Sequence, residues 1–306
     1  MITAHITGNA GNWISQIAIT KVLAHINGWE YGFDSPLAQY TNNGLDQLYF
    51  MDIDMGIPVS GIVHTFEEHW DIYQGRNIST IDKRVYDIEN NTVLIGHNGA
   101  YGGLFQSEDY YIDWKEQLIG WFRIKEDYSN TYQALLAAKD IILDDNLCVL
   151  NFRGGEYRGI PEVLLRREYW RDAVQHMRSL NPDMKFICIT DDIKLATEYM
   201  PEPIPVIHED IGFDYYVVNQ ANWLIISNSS FGLWAAWLNP NVKFTIAPRY
   251  WANHNQGGPY WQLGDQYNRE FHYLDRDGLL YNYDTVKKAA IDYYRSQNIL
   301  PQLYDI

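Results

Sequence analysis

The chain has 306 residues, 39 acidic against 23 basic, and a net charge of -16 at pH 7. This length predicts two domains and a core large enough to need no disulfide or metal. The acidic balance excludes the clustered Lys and Arg of a nucleic-acid surface, so no nucleic-acid partner is expected. Aromatic residues are abundant, with 11 Trp, 24 Tyr and 11 Phe, and flat amphipathic rings suit sugar faces as well as cores. The only two cysteines, Cys148 and Cys188, fall inside apolar runs, which predicts buried thiols and a reducing compartment. Met1-Ile-Thr-Ala-His lacks the charged start and apolar stretch of a signal peptide. No apolar run reaches the roughly 18 residues that span a bilayer, so a soluble, cytoplasmic protein without a transmembrane segment is expected.

In chain order, Ile2 to Ile6 reads as a strand, and Gly8 to Gly11 as a turn. Asn12 to Ile26 reads as a helix with an apolar stripe of Ile14, Ile17, Ala18 and Val22, ended by Asn27-Gly28. A second strand lies near Trp29 to Phe33. The stretch 34–90 is rich in Tyr, Asp and Asn and carries no clear period. Val93 to Ile95 reads as a strand and Ser107 to Phe122 as a helix.

From Leu147 strand and helix alternate regularly. Strands are expected at Leu147 to Asn151, Lys185 to Thr190, Ile204 to Ile207, Trp223 to Ile226 and Val242 to Pro248. Helices are expected at Tyr169 to Ser179, Ile193 to Tyr199, Tyr215 to Ala221, and after Ser230. That pattern predicts a parallel α/β sheet with right-handed crossovers. Asp284 to Gln297 closes the chain as a helix with an Asp cap. A boundary is expected near Asp144-Asp145-Asn146, giving domains 1–145 and 146–306, with the last helix packing back on the first.

Ligands of open α/β sheets bind at the carboxyl ends of the strands. Three polar clusters fall there: Arg153 to Tyr157, Asp191-Asp192, and Ser227-Asn228-Ser229-Ser230. The last precedes a helix carrying Phe231, Trp234 and Trp237, so hydroxyls and helix N–H groups converge as a phosphate would require, or simply cap the helix. One site built from all three clusters is the geometric expectation.

The motifs add a resemblance. Asn151-Phe-Arg-Gly-Gly-Glu-Tyr157 resembles the H-x-R-R-G-D-Y motif of the inverting α-1,2-fucosyltransferases and their α-1,6- and protein O-fucosyltransferase relatives. Gly8-Asn-Ala-Gly-Asn12 with Gln16 is similar to their opening G-G-L-G-N-Q-x-F-Q. Gly103-Leu-Phe-Gln-Ser-Glu108, followed by Tyr110 and Tyr111, is similar to G-Y-x-Q-S-E-x-Y-F. Thr190-Asp191-Asp192 stands where the family has S-D-D. Ser227-Asn-Ser-Ser-Phe-Gly-Leu-Trp-Ala-Ala-Trp-Leu238 is close to S-N-S-S-F-S-W-W-x-A-W-L.

The resemblance implies an α/β fold of GT-B type, two Rossmann-like domains facing across a cleft. It implies a metal-independent, inverting transfer of fucose from GDP-fucose to a glycan hydroxyl, α-1,2 to galactose, with no cofactor. Arg153 takes the phosphate-binding place, where a guanidinium forks onto a diphosphate and stays charged as the leaving group gains charge. Ser229, Ser230 and the Phe231 N–H complete the cradle, with Asn228 beside them. Gly8 and Gly11 permit a tight turn that carries Asn12 towards the transferred sugar. Asp191 or Asp192 accepts from the base or caps the helix that starts at Ile193. Glu156 and Glu108 are the candidate bases.

Four residues depart from the family pattern: Asn151 for His, Gly154 for the second Arg, Glu156 for Asp, and Trp13 for Gln. The departures keep two alternatives open, a different nucleotide sugar on the same fold and a non-catalytic glycan- or nucleotide-binding relative. A further alternative, a metal-dependent transferase, rests on the carboxylate triplet Asp52-Ile-Asp54.

Overall fold

The computed structural model describes residues 1–4, 6, 8–33, 47–58, 62–66, 92–95, 105–256 and 267–296. The chain divides into two compact units. The first is Met1–Arg123 with Gln262–Gln266 and Ile291–Ile306, and the second is Ile124–Trp261 with Tyr267–Ala290. The acidic patch at Asp144-Asp145-Asn146 therefore lies within the second unit, one helix beyond the division.

The first unit holds a four-stranded parallel sheet of β1 (Ile2–Ala4), β2 (Tyr31–Phe33), β3 (Ile62–Phe66) and β4 (Thr92–Ile95), in the order β2-β1-β4-β3. Between β1 and β2 runs α1 (Ala10–Asn27), which starts two residues before the expected Asn12. It is buried on nearly every side rather than along one stripe, so polar residues inside it bond back to the helix. Thr20 Oγ1 donates to the Gln16 carbonyl at 2.7 Å, and Ser15 Oγ to the Gly11 carbonyl at 3.2 Å. Gly28 ends the helix with φ 64°, the left-handed conformation that glycine takes without a Cβ penalty.

The expected single helix over Ser107 to Phe122 is instead two short 3-10 turns, Glu108–Tyr110 and Ile112–Trp114, followed by α2 (Lys115–Trp121). The chain leaves helical geometry at Tyr111, φ -127°, because the Tyr111 hydroxyl is drawn to the carbonyls of Ser15, at 3.1 Å, and Phe105.

The second unit opens with α3 (Glu126–Ala138). Its sheet comprises β5 (Leu147–Phe152), β6 (Lys185–Thr190), β7 (Val206–Ile207), β8 (Trp223–Ile226), β9 (Phe244–Pro248), β10 (Phe271–Leu274) and β11 (Leu280–Asn282). The order is β11-β10-β9-β8-β5-β6-β7, parallel throughout except for the β10–β11 hairpin at one edge. Every residue of β5 is buried, as expected of a central strand covered on both faces. The crossovers are α4 (Arg167–Leu180), α5 (Ile193–Tyr199), α6 (Ile211–Gln220) and α7 (Ser230–Trp237). In α7 the rings of Trp234 and Trp237 are 1% exposed and meet edge to face at 5.5 Å. Burying an aromatic ring of this size contributes about 1.5–3 kcal/mol.

The closing helix α8 (Tyr283–Ser296) is capped not by Asp284 but by Asn282, whose Oδ1 accepts the Thr285 N–H at 3.0 Å. Both cysteines are buried and free. Among the described residues no helix is long and apolar enough to cross a membrane.

Candidate functional site

Strand register sets the site in the second unit. In parallel pairing Phe152 lies opposite Thr190, and Asn151 opposite Ile226. The next residues, Arg153, Asp191 and Ser227, therefore emerge together from the carboxyl ends of three adjacent strands, the edge where parallel α/β sheets bind ligands.

Arg153 stands at the centre. Its Nη1 donates to Asp191 Oδ2, its Nη2 to Glu156 Oε1 at 2.9 Å, and its guanidinium lies 5.7 Å from the Tyr157 ring centre. Asp191 spends its other oxygen on the Gly154 N–H at 2.7 Å. Asp192 caps α5 by accepting the Leu195 N–H at 3.1 Å, and it also binds Arg158. Burial pushes the Asp192 carboxyl up, but the Leu195 amide and the Arg158 guanidinium outweigh it and hold the group below its ordinary value. Of the two aspartates, Asp192 is thus the helix cap and Asp191 the partner of Arg153.

The third cluster joins through Tyr157, whose hydroxyl donates to the Asn228 carbonyl at 3.1 Å. Burial raises the Tyr157 pKa, which keeps the phenol protonated and donating. Asn228 also donates from Nδ2 to the Val163 carbonyl at 2.8 Å. Ser229 occupies the cap position of α7 without a side-chain cap bond, and Ser227, Asn228 and Ser229 are buried. Ser230 and Phe231 are half-buried, and Phe231 meets Tyr215 edge to face at 5.7 Å. No hydrogen bond of Arg153 reaches Ser229, Ser230 or Phe231; the hydroxyl turn is tied to the arginine loop through Tyr157 and Asn228 instead.

One departure from the family pattern has a steric cause. A Cβ at Gly154 would stand 2.5 Å from the Asp192 Cβ and 3.2 Å from the Phe152 ring, so no larger residue fits. The loop nonetheless carries a second guanidinium at Arg158, which sequence reasoning left without a role. Its signal was plain, a basic residue one place beyond the motif. On the next strand, β7, the chain continues into His208, whose Nδ1 lies 2.7 Å from Asp214 Oδ2. The hydrogen bond that His208 donates to Asp214 raises the His208 pKa, and burial pushes Asp214 up to about 6.

The first unit gathers the remaining candidates. Gly8 takes φ 81°, and the turn it permits carries Asn12 back over it. Gly11 instead lies inside α1 with an ordinary helical backbone, so the turn rests on Gly8 alone. Trp13, which stands where the family has Gln, donates its indole N–H to the Gly8 carbonyl at 2.9 Å and braces the turn. Gln106 Nε2 donates to Asn12 Oδ1 at 2.7 Å, joining two motifs that are far apart in sequence. Glu108 is buried in the 3-10 turn that follows. Gly103 and Leu104 of that motif, and most of the 34–90 stretch, lie outside the described residues.

The carboxylates of the Asp52-Ile-Asp54 triplet are engaged separately. Arg123 binds Asp52, and Asp54 accepts from the Gly56 N–H at 2.9 Å and the Tyr31 hydroxyl at 2.8 Å. Among the described residues no group of three or more His, Cys, Asp or Glu is placed to hold a metal ion.

Comparison with known proteins places this geometry in context. The sequence profile of the family described as Glycosyl transferase family 11 matches residues 97–275. The O-antigen biosynthesis glycosyltransferase WbnK of Escherichia coli is 25% identical over 184 residues, 56% of this chain and 61% of that protein. An alpha-1,2-colitosyltransferase of Escherichia coli is 28% identical over 165 residues, 49% of this chain and 54% of that protein. The matched region thus spans little more than half the length of these relatives. Among solved structures, NodZ alpha-1,6-fucosyltransferase soaked with GDP-fucose superposes with a TM-score of 0.51 at 11% identity, covering 92% of this chain and 98% of that one. At that identity the likeness carries the fold alone, and the fold is the α/β class of GT-B type expected from the sequence.

Proposed function

This chain belongs to Glycosyl transferase family 11, and we propose that it is a metal-independent, inverting transferase that moves fucose from GDP-fucose to a glycan hydroxyl, α-1,2 to galactose. The observation that carries the proposal is the position of Arg153, fixed at the carboxyl edge of three central strands by Asp191 and Glu156. A guanidinium held there presents a planar, permanently charged fork to a diphosphate. Arg158 supplies a second cation in the same loop.

In this reading the acceptor oxygen attacks the anomeric carbon of fucose in line. The carbon–oxygen bond to the β-phosphate breaks, and GDP leaves with the electron pair. Arg153 stabilises the charge that develops on the diphosphate, a preorganised contribution of about 3–4 kcal/mol. Glu156 takes the acceptor proton as Arg153 turns to the phosphate. Asn12, held by Gln106, positions the sugar, and Ser229, Ser230 and the Phe231 N–H line the phosphate side. Asp191 acts by orienting Arg153, and Asp192 by anchoring Arg158.

The test is incubation with GDP-fucose and galactose-terminated glycans, with and without EDTA, reading GDP release and the linkage formed. The expected result is EDTA-insensitive release with an α-1,2 product. Absence of both release and calorimetric GDP binding overturns the proposal.

A second reading changes the donor sugar, supported by the relative named as a colitosyltransferase and by Asn151, Gly154 and Glu156 in the arginine motif. Competition between GDP-fucose and a colitose-bearing nucleotide sugar decides between the two. A higher kcat/KM for the colitose donor replaces the fucose assignment.

A further inference from the structure

The first unit contains a cavity of about 410 Å³ lined by Lys21, Trp29, Tyr31, Asp52, Asp54 and Trp121, with Arg123 at its edge. It lies away from the Gly8–Asn12 turn. Lys21 lies nine residue steps along α1 from Asn12, about 14 Å at 1.5 Å per residue. Tyr31 opens β2 opposite Ile2, so the cavity sits at the amino edge of a sheet whose carboxyl edge leads to Asn12.

Its chemistry is unusual for a surface hollow. Lys21 is only 5% exposed, yet among the described residues its ammonium has a single acceptor, the Asp54 carbonyl at a long 3.4 Å. The rest of its environment is aromatic, with the Tyr31 and Trp121 ring centres 5.2 and 5.1 Å away. Burial lowers the Lys21 pKa, which marks how poorly the protein alone solvates this charge. Asp52 receives both Arg123 bonds on one oxygen, Oδ2, and among the described residues its Oδ1 accepts no donor. Two cations, Lys21 and Arg123, face two carboxylates, Asp52 and Asp54, so these four charges balance.

We propose that this cavity is a second carbohydrate site, which takes a neutral sugar ring at the amino edge of the first unit's sheet. A sugar hydroxyl both donates and accepts, and so it satisfies the spare N–H groups of Lys21 and the spare oxygen of Asp52 together. A carboxylate only accepts, and a carboxylate or a phosphate would meet both aspartates. The walls of Trp29, Tyr31 and Trp121 suit the apolar C–H face of a pyranose, the arrangement of apolar walls with few polar groups found in small-ligand pockets. The proposal does not depend on the transfer reaction, because it uses none of the residues assigned to it.

The test is saturation-transfer NMR and calorimetry on the full chain, without donor, using lactose, N-acetyllactosamine and maltotriose as probes. At least one sugar should bind, and Lys21→Met and Trp29→Ala should each weaken it tenfold or more. Lys21→Met keeps the buried stem while removing the ammonium, so it guards against a folding artefact. Asn12→Ala should leave this binding intact. The reverse pattern, loss with Asn12→Ala and none with Lys21→Met, places the sugar at the transfer site and overturns the proposal. So does the absence of binding by all three sugars, or their displacement by millimolar inorganic phosphate. A chain that binds sugar here but neither releases nor binds GDP refutes the proposed reaction while leaving the second site standing.

Discussion

At the scale of single residues, Arg153 and its two carboxylates pose a definite competition. Asp191 and Glu156 occupy the fork that a diphosphate must take. Glu156 is the one able to yield, since its side chain is 57% exposed while that of Asp191 is 28% exposed and also bonded to the Gly154 amide. Arg153→Ala should reduce kcat/KM for donor about 10²–10³-fold. Arg153→Lys should recover only part, because a point charge cannot fork. Glu156→Gln separates two roles in one measurement. If Glu156 takes the acceptor proton, kcat falls about 10²-fold or more, while GDP binding is kept or tightened by removal of a negative charge. An unchanged kcat would reassign Glu156 to holding Arg153 alone. Restoring the family's second Arg by Gly154→Arg should yield no activity. The Asp192 and Phe152 contacts leave no room for its Cβ, and overpacking costs about 1–3 kcal/mol, which a lowered melting temperature would report.

At the scale of elements, the site depends on how strand ends are pinned from behind. Tyr169, in α4, donates its hydroxyl to the Ile226 carbonyl at 2.6 Å, one residue before Ser227. Tyr169→Phe orphans that buried carbonyl and should cost about 1–3 kcal/mol, measured as a lower urea midpoint with an unchanged m-value. A midpoint identical to wild type would show that neither this bond nor the longer 3.4 Å contact of the same hydroxyl with the Ile246 carbonyl contributes to stability. The elements around this bond were the legible part of the chain. Continuous apolar runs such as Trp223 to Ile226, bounded by Asn and Ser, locate buried strands to the residue. The β10–β11 hairpin was missed although Asp277-Gly278 is a hairpin signal, because its strands are short and one lies at a sheet edge. The burial of α1 on all sides was also missed. A polar Gln16, Thr20 or Lys21 reads as a solvent face until its partners are known. The candidate site followed the same rule. The residues on strand ends could be placed by register, whereas the choice between cap and ligand for Asp191 and Asp192 waited on their hydrogen bonds.

At the scale of the whole molecule, acid stability should depend most on one deeply buried imidazole, with a contribution of the same sign from His272, whose pKa burial also lowers. His254, 6% exposed, lies 5.3 Å from the Tyr169 ring centre, and its buried Nδ1 has no hydrogen-bond partner among the described residues. Burial first, and then the nearby Arg276 charge, lower its pKa to about 3. In the unfolded chain the same group titrates near 6.5. Between these values the unfolded state binds more protons than the folded one, so stability rises with pH across that window and is lost as pH falls from about 6.5 towards 3. At 1.36 kcal/mol per unit, the loss between pH 7 and pH 5 is about 2 kcal/mol. The His208–Asp214 pair works in the opposite sense. Both groups are raised, so the stability it contributes is present at acid pH and lost as pH rises through its shifted values. His254→Gln removes the first effect and leaves the second. The variant should be less stable at pH 7, having lost the ring contact with Tyr169, yet its urea midpoint should fall less than that of wild type between pH 7 and pH 5. Parallel declines of variant and wild type over that interval would place the acid sensitivity elsewhere in the chain.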